Sequence, residues 1–194
     1  GRVIARNNVV IHLNGNAPVH VQDYFGTGIM KNISINFNTL VANAASTPAF
    51  NLGWSSGSAN DMSYNLVLKG SIPASGGATA VGNQACATIA GCTAATSESA
   101  PWNLRPSSSV APVTITSPST ALPTTDFVGN TRQYSTGTSP GAIDGHGTVC
   151  SSMTISGFPS ARGPLCAGGT TPSDQKEGSV STAGAMPVLY SVAL

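Results

Sequence analysis

Charge is what this sequence has least of. Asp, Glu, Lys and Arg make up 8% of its 194 residues, where an average soluble domain carries roughly 25%. The formal net charge is +1, and the eight basic residues are scattered rather than run together. That leaves no electrostatic footprint for nucleic acid or an anionic membrane surface, so no nucleic-acid partner is expected. Apolar runs are short as well. None approaches the roughly 18–20 residues that a membrane span needs, and no span is expected. The seven acids are Asp23, Asp61, Glu98, Asp126, Asp144, Asp174 and Glu177, with no D-x-D or E-x-x-D grouping. A calcium site of neighbouring carboxylates is therefore not expected, nor any other metal or cofactor. P-loops, H-E-x-x-H and C-x-x-C pairs are missing too.

Ser, Thr, Asn, Gly and Ala stand where charge would be. With 40% hydrophobic residues and a mean hydropathy of +0.10, the chain is too apolar for a disordered segment. Its length suits one domain, or one domain with an extension. Four cysteines fall into two close pairs, Cys86 with Cys92 and Cys150 with Cys166, at spacings of 6 and 16. Metal sites use tighter pairs or add nearby histidines. Two local disulfides in an oxidising compartment are the expectation, set against buried thiols and metal ligation.

The positive signal is a repeat. Asn8 is followed by Val9-Val10-Ile11, Asn38 by Thr39-Leu40-Val41, and Asn65 by Leu66-Val67-Leu68, at intervals of 30 and 27 residues. A second burst starts at Pro18 ("PVHVQDYF") and again at Pro48 ("PAFNLGW"), 30 residues on. Apolar residues alternating within each burst are expected, the period of strands rather than helices. Self-similarity at this length is the mark of stacked repeats that share one core. The fold class expected is all-β, a parallel β-helix. In it Asn8, Asn38 and Asn65 form a ladder of side-chain amides at a corner, where asparagine also tolerates a left-handed backbone.

"ARNNVVIH", "KNISINFNTLVAN" and "MSYNLVLKG" resemble the coil pattern of bacterial right-handed parallel β-helix proteins, a group with many polysaccharide lyases and surface proteins. "PWNLRPSSSVAP" is similar to the segment that follows their last coils. "LPTTDFVGNTRQ" with "PGAID" resembles their closing signature at Asp126, Phe127, Gly129, Arg132, Gly141 and Ala142. Asp144 stands where the group has Glu, and Ser139-Pro140 replaces its Asp-Ile. The resemblance covers residues 1–144. It implies the C-terminal portion of a right-handed β-helix (solenoid), with Asp126 and Arg132 as a structural ion pair or backbone clamp. Residues 145–194 form an irregular Gly/Ser/Thr-rich, disulfide-bearing extension. It ends in "MPVLYSVAL", where Val188, Tyr190, Val192 and Leu194 alternate as in a terminal strand.

Val3 already belongs to a strand, so the first repeat is expected to need a cover. Self-association, end to end or by strand addition, would give a filament. The chemistry-bearing stretch is "HVQDYFG". His20, Gln22 and Tyr24, with Trp54 from the next repeat, suit a sugar-contacting face. The alternatives are a solvated face, or a base and acid (His20 and Tyr24) served by Arg6 or Lys31 as cation. No catalytic residue is assigned. The functional expectation is a secreted or surface structural component that self-assembles and contacts polysaccharide. Set against it are the C-terminal part of a polysaccharide lyase or glycoside hydrolase, and a phage or surface adhesin.

Overall fold

The computed structural model describes residues 3–22, 30–53, 59–99, 102–119, 122–127 and 130–145, and strand residues 175–176, 188–190 and 192–193. Cys150, Cys166, Asp23, Tyr24 and Trp54 lie outside the described residues. The fold is all-β with parallel sheets, and no helix occurs among the described residues. Its strands are β1 (Val3–Arg6), β2 (Val9–Ile11), β3 (Val19–Val21), β4 (Ile33–Asn36), β5 (Thr39–Val41), β6 (Phe50–Leu52), β7 (Leu66–Leu68), β8 (Gln84–Cys86), β9 (Gln175–Lys176), β10 (Val188–Tyr190) and β11 (Val192–Ala193).

Strands one repeat apart pair in parallel. β1 lies on β4, β3 on β6, and β2, β5, β7 and β8 follow one another in a single sheet. Bridges from Ser34 to Asp61 and from Asp61 to Thr79 carry the first of these onward, and one from Pro48 to Ser71 carries the second. Val10, Leu40 and Val67, Ile33, Ile35 and Met62, and Val21 and Phe50 meet in one apolar cluster. Each sheet supplies side chains to it, and no single repeat could fill it. That is why the repeats need one another.

The bursts after each asparagine do not alternate. All three residues of β2, β5 and β7 are buried. Val10, Leu40 and Val67 face the shared core, while Val9, Ile11, Val41, Leu66 and Leu68 pack against Trp102, Leu104, Val110, Phe127 and Ile143. A strand covered on both faces reads as a continuous apolar run, and this sheet is so covered. The second burst also departs from the 30-residue spacing. Val19 pairs with Phe50 and His20 with Asn51, an offset of 31. Seven residues separate β2 from β3, but eight separate β5 from β6.

Asn8, Asn38 and Asn65 stand in one column, with Asn83 beneath them. Asn8 donates to Asn38 Oδ1 from its backbone N–H (3.0 Å) and from Nδ2 (2.7 Å). Asn38 does the same to Asn65 Oδ1, at 3.0 Å from both nitrogens. Asn65 repeats it onto Asn83 Oδ1 at 2.8 and 3.0 Å. Each lower amide also donates back to a carbonyl of the repeat above: Asn38 to Ala5, Asn65 to Ile35 and Asn83 to Met62. The left-handed residue at the corner is not the ladder asparagine but the one before it. Asn7, Phe37, Tyr64 and Gly82 have φ of 57°, 56°, 61° and 63°. Turning the chain one residue early leaves each ladder N–H aimed along the column.

Trp102, Leu104, Val110, Phe127, Ala142 and Ile143 close over the outer face of the long sheet. Gly141 N–H donates to Tyr64 O and Ala142 N–H to Thr39 Oγ1. A Cβ on Gly141 would lie 2.7 Å from Thr39 Oγ1 and 2.8 Å from Leu66 Cβ. Cys86 at the end of β8 is disulfide-bonded to Cys92, with Cα atoms 6.2 Å apart. Glu98 accepts the N–H groups of Ile89 and Ala90 within that loop. The C-terminal alternation appears as two short strands. β10 pairs antiparallel with β2 of its own chain, and β11 pairs with β9.

Candidate functional site

The parallel pair β3–β6 turns Val21 and Phe50 into the core and leaves His20 and Asn51 exposed on the outer face. Register makes these two neighbours: Asn51 Nδ2 lies 3.5 Å from His20 Nδ1. They hydrogen-bond when that ring nitrogen carries no proton. Gly15, Asn16 and Ala17 from the loop before β3, and Pro48, Pro73 and Ala74 from the following repeats, join them around an open groove of about 530 Å³. The buried His12 holds this loop in place, its Nδ1 2.9 Å from Asn16 O.

The groove offers an imidazole, two amide side chains, and apolar rings and methyls. No carboxylate, lysine or arginine lines it among the described residues. Such a surface can exchange hydrogen bonds with hydroxyl groups and pack against the C–H faces of a neutral ligand. Gln22 is exposed just past β3, while Tyr24 and Trp54 fall outside the described residues. Arg6 is on β1 and Lys31 precedes β4, so the two cations considered for catalysis belong to the β1–β4 side rather than to the sheet of His20. Asn51 was hidden from sequence reading by the one-residue change in loop length. Aligning the bursts on Val19 and Phe50 instead of on the prolines would have found it.

Asp126, Arg132 and Asp144 come together elsewhere, in the closing segment, and all three are buried. Arg132 Nη1 donates to Thr138 Oγ1 and Ser139 O, and Nη2 to Asn7 Oδ1, Gly141 O and Ala142 O, at 2.7–3.2 Å. Its guanidinium carbon sits 4.2 Å from the centre of the Phe37 ring, which stacks on Tyr64 at 5.0 Å. Asp126 accepts from Asn130 N, Asn130 Nδ2 and Asp144 N. Asp144 accepts from Thr138 Oγ1 and Ser139 N. Burial pushes the Asp126 carboxyl above the usual carboxylate range, against the pull of those N–H groups and of Arg132. Burial lowers the Arg132 pKa, and Asp126, Tyr134 and Asp144 work the other way. With five hydrogen bonds made by its two Nη groups, Arg132 is a clamp between the closing segment and the repeats.

No group of three metal-ligating side chains occurs among the described residues. Comparison with family models, with curated proteins and with solved structures finds no match for this chain.

Proposed function

We propose that the chain is a right-handed parallel β-helix whose role is structural: an extracellular or cell-surface component that self-associates and contacts glycans through the His20–Asn51 groove. The observation that carries the reading is the asparagine column, which puts repeats of 30 and 27 residues in hydrogen-bonded register. Parallel pairing between consecutive repeats on three faces around one core supports a solenoid. The Cys86–Cys92 disulfide supports an oxidising setting. The groove's chemistry suits sugar hydroxyls better than proton abstraction, which needs a cation for the developing enolate.

Titration of the full chain with alginate, pectin and chondroitin oligosaccharides, followed by NMR, tests the glycan arm. The reading expects shifts at His20 and Asn51, with binding weakened roughly tenfold by Asn51→Ala, the worth of about one hydrogen bond. Unsaturated uronate product in the same samples would instead establish the lyase alternative. Shifts confined to other surfaces would remove the groove from consideration.

A further inference from the structure

Asn7, Asn8, Asn36, Asn38, Asn60 and Asn65 are buried among the repeats. Asn14 is not. It lies in the exposed loop between β2 and β3 and precedes Gly15, the single Asn-Gly pair of the chain. Every other asparagine is followed by a residue with a side chain, whose Cβ hinders close approach to the next peptide nitrogen. Gly15 has φ of 92°, and a Cβ built on it would meet nothing within 4 Å. Its peptide nitrogen is therefore open on the side that a side chain would cover.

Asn14 Oδ1 accepts from Asn16 N–H at 3.4 Å. This bends the carboxamide back over the Gly15 peptide, as in an Asx turn. The nitrogen and the carbonyl carbon of an intramolecular ring closure are thus neighbours, and proximity of this kind speeds such a reaction. The same loop borders the candidate site. His12 Nδ1 lies 2.9 Å from Asn16 O, and Gly15 and Asn16 form one rim of the groove that His20 and Asn51 line.

We propose that Asn14 is a site of spontaneous covalent modification, where deamidation writes a negative charge onto the rim of the groove. The Gly15 peptide nitrogen gives its proton to water and attacks Asn14 Cγ. A C–N bond forms, the Cγ–Nδ2 bond breaks and ammonia leaves, closing a succinimide ring. Water then adds to one of the two ring carbonyls. Opening at Cγ gives aspartate, and opening at the main-chain carbon gives isoaspartate. Either product carries a carboxylate, ionised at neutral pH. Isoaspartate also lengthens the main chain, which moves Asn16 relative to its tie at His12. In a chain of net charge +1, the new carboxylate repels an acidic ligand and must shed water to admit a neutral one. That consequence for binding rests on the glycan reading of the groove, whereas the modification itself does not.

The full-length chain is aged in mildly alkaline buffer at body temperature, digested, and mapped by mass spectrometry with fragmentation that separates isoaspartate from aspartate. The expected result is a mixture of both products at Asn14, formed faster than at any other asparagine by roughly tenfold or more, since only Gly15 leaves the attacking nitrogen uncovered. Gly15→Ala should slow conversion at Asn14 by a similar factor, and Asn14→Gln should abolish it at that position. Conversion no faster than at the exposed Asn16 or Asn43, or aspartate formed without isoaspartate, overturns the proposal. Titration with pectin oligosaccharides then reads the charge. The aged chain and Asn14→Asp should bind several-fold more weakly than the fresh chain and Asn14→Gln. Equal binding by fresh and aged chains overturns the effect on the groove. No binding by the fresh chain sinks the glycan reading, and the modification is then judged on the peptide map alone.

Discussion

Phe37 and Tyr64 adopt left-handed backbone, where a bulky side chain costs on the order of 1–3 kcal/mol each. What holds them is the column they build: ring on ring at 5.0 Å, with the Arg132 guanidinium over Phe37. At the same corner one repeat on, Gly82 leaves no room for a side chain, since a Cβ there would lie 2.6 Å from the Tyr64 ring. The corner strain is offset by stacking, and the turn it makes aims the ladder amides. Removing one rung therefore leaves several buried groups without partners. Asn38→Ala should lower unfolding free energy by about 2–4 kcal/mol in urea titrations, from the orphaned donors of Asn8 and the lost bond to Ala5 O. Tyr134 gives the pH-dependent counterpart. Its hydroxyl donates to Pro123 O, and burial pushes its pKa up to about 12 from 10.0, against the pull of Arg132. A raised phenol pKa favours the folded state while the proton is kept. That contribution is whole below pH 10 and disappears as pH climbs through about 12. Phenolate absorbance should rise near the upper value, and Tyr134→Phe should soften the alkaline loss of stability.

At the scale of elements, the three-residue strands β2, β5 and β7 carry the long sheet, and both of their sides are covered. β5 shows the arrangement: Leu40 faces the inner cluster while Val41 packs beneath the closing segment and Thr39 receives Ala142 N–H. Closure depends on a glycine and an arginine. Gly141 has φ of 92° and lies against Thr39 and Leu66, so Gly141→Ala meets both backbone strain and collision. A loss of roughly 3 kcal/mol or more in thermal or urea unfolding is expected there. Arg132→Met removes five hydrogen bonds from a buried cluster that also holds Asp126 and Asp144. It should cost about 3–5 kcal/mol. Arg132→Lys should recover little, because an ammonium cannot reach carbonyls on both sides of a planar fork. A lysine variant as stable as wild type would show that charge, not geometry, is what the cluster needs.

Across the whole molecule, stability is expected to be graded rather than uniform. Strands β2, β5 and β7 of the long sheet are buried on two faces, whereas β3 and β6 carry exposed residues on one. Native-state hydrogen exchange should find the amides of Leu40 and Val67 slowest, and those of His20 and Asn51 opening well before global unfolding. Uniform exchange would mean that the repeats and the groove open as one unit. Much of this organisation was legible. The asparagine intervals survive in sequence because each rung needs the same amide and the same apolar burst behind it. Asn83 escaped notice because it follows Asn65 by 18 residues and leads into Gln84-Ala85-Cys86 instead of an aliphatic run. The partner of His20 escaped because one extra loop residue shifts the register, and nothing local marks that shift.

Composition and spacing alone determined the all-β class and the positions of the strands that follow Asn8, Asn38 and Asn65. Those depend on turn residues, β-branched bursts and the demand that buried amides be paired, all of which are local. Which strand lies beside which was decided by the tertiary structure. So were the residue that bends at each corner, the covering of the long sheet by Trp102, Leu104, Val110, Phe127 and Ile143, and the use of β10 on β2. These follow from loop lengths and from volumes filled by segments more than a hundred residues apart, as in the bond between Arg132 and Asn7. No window of sequence contains such a contact, so only the folded chain can choose it.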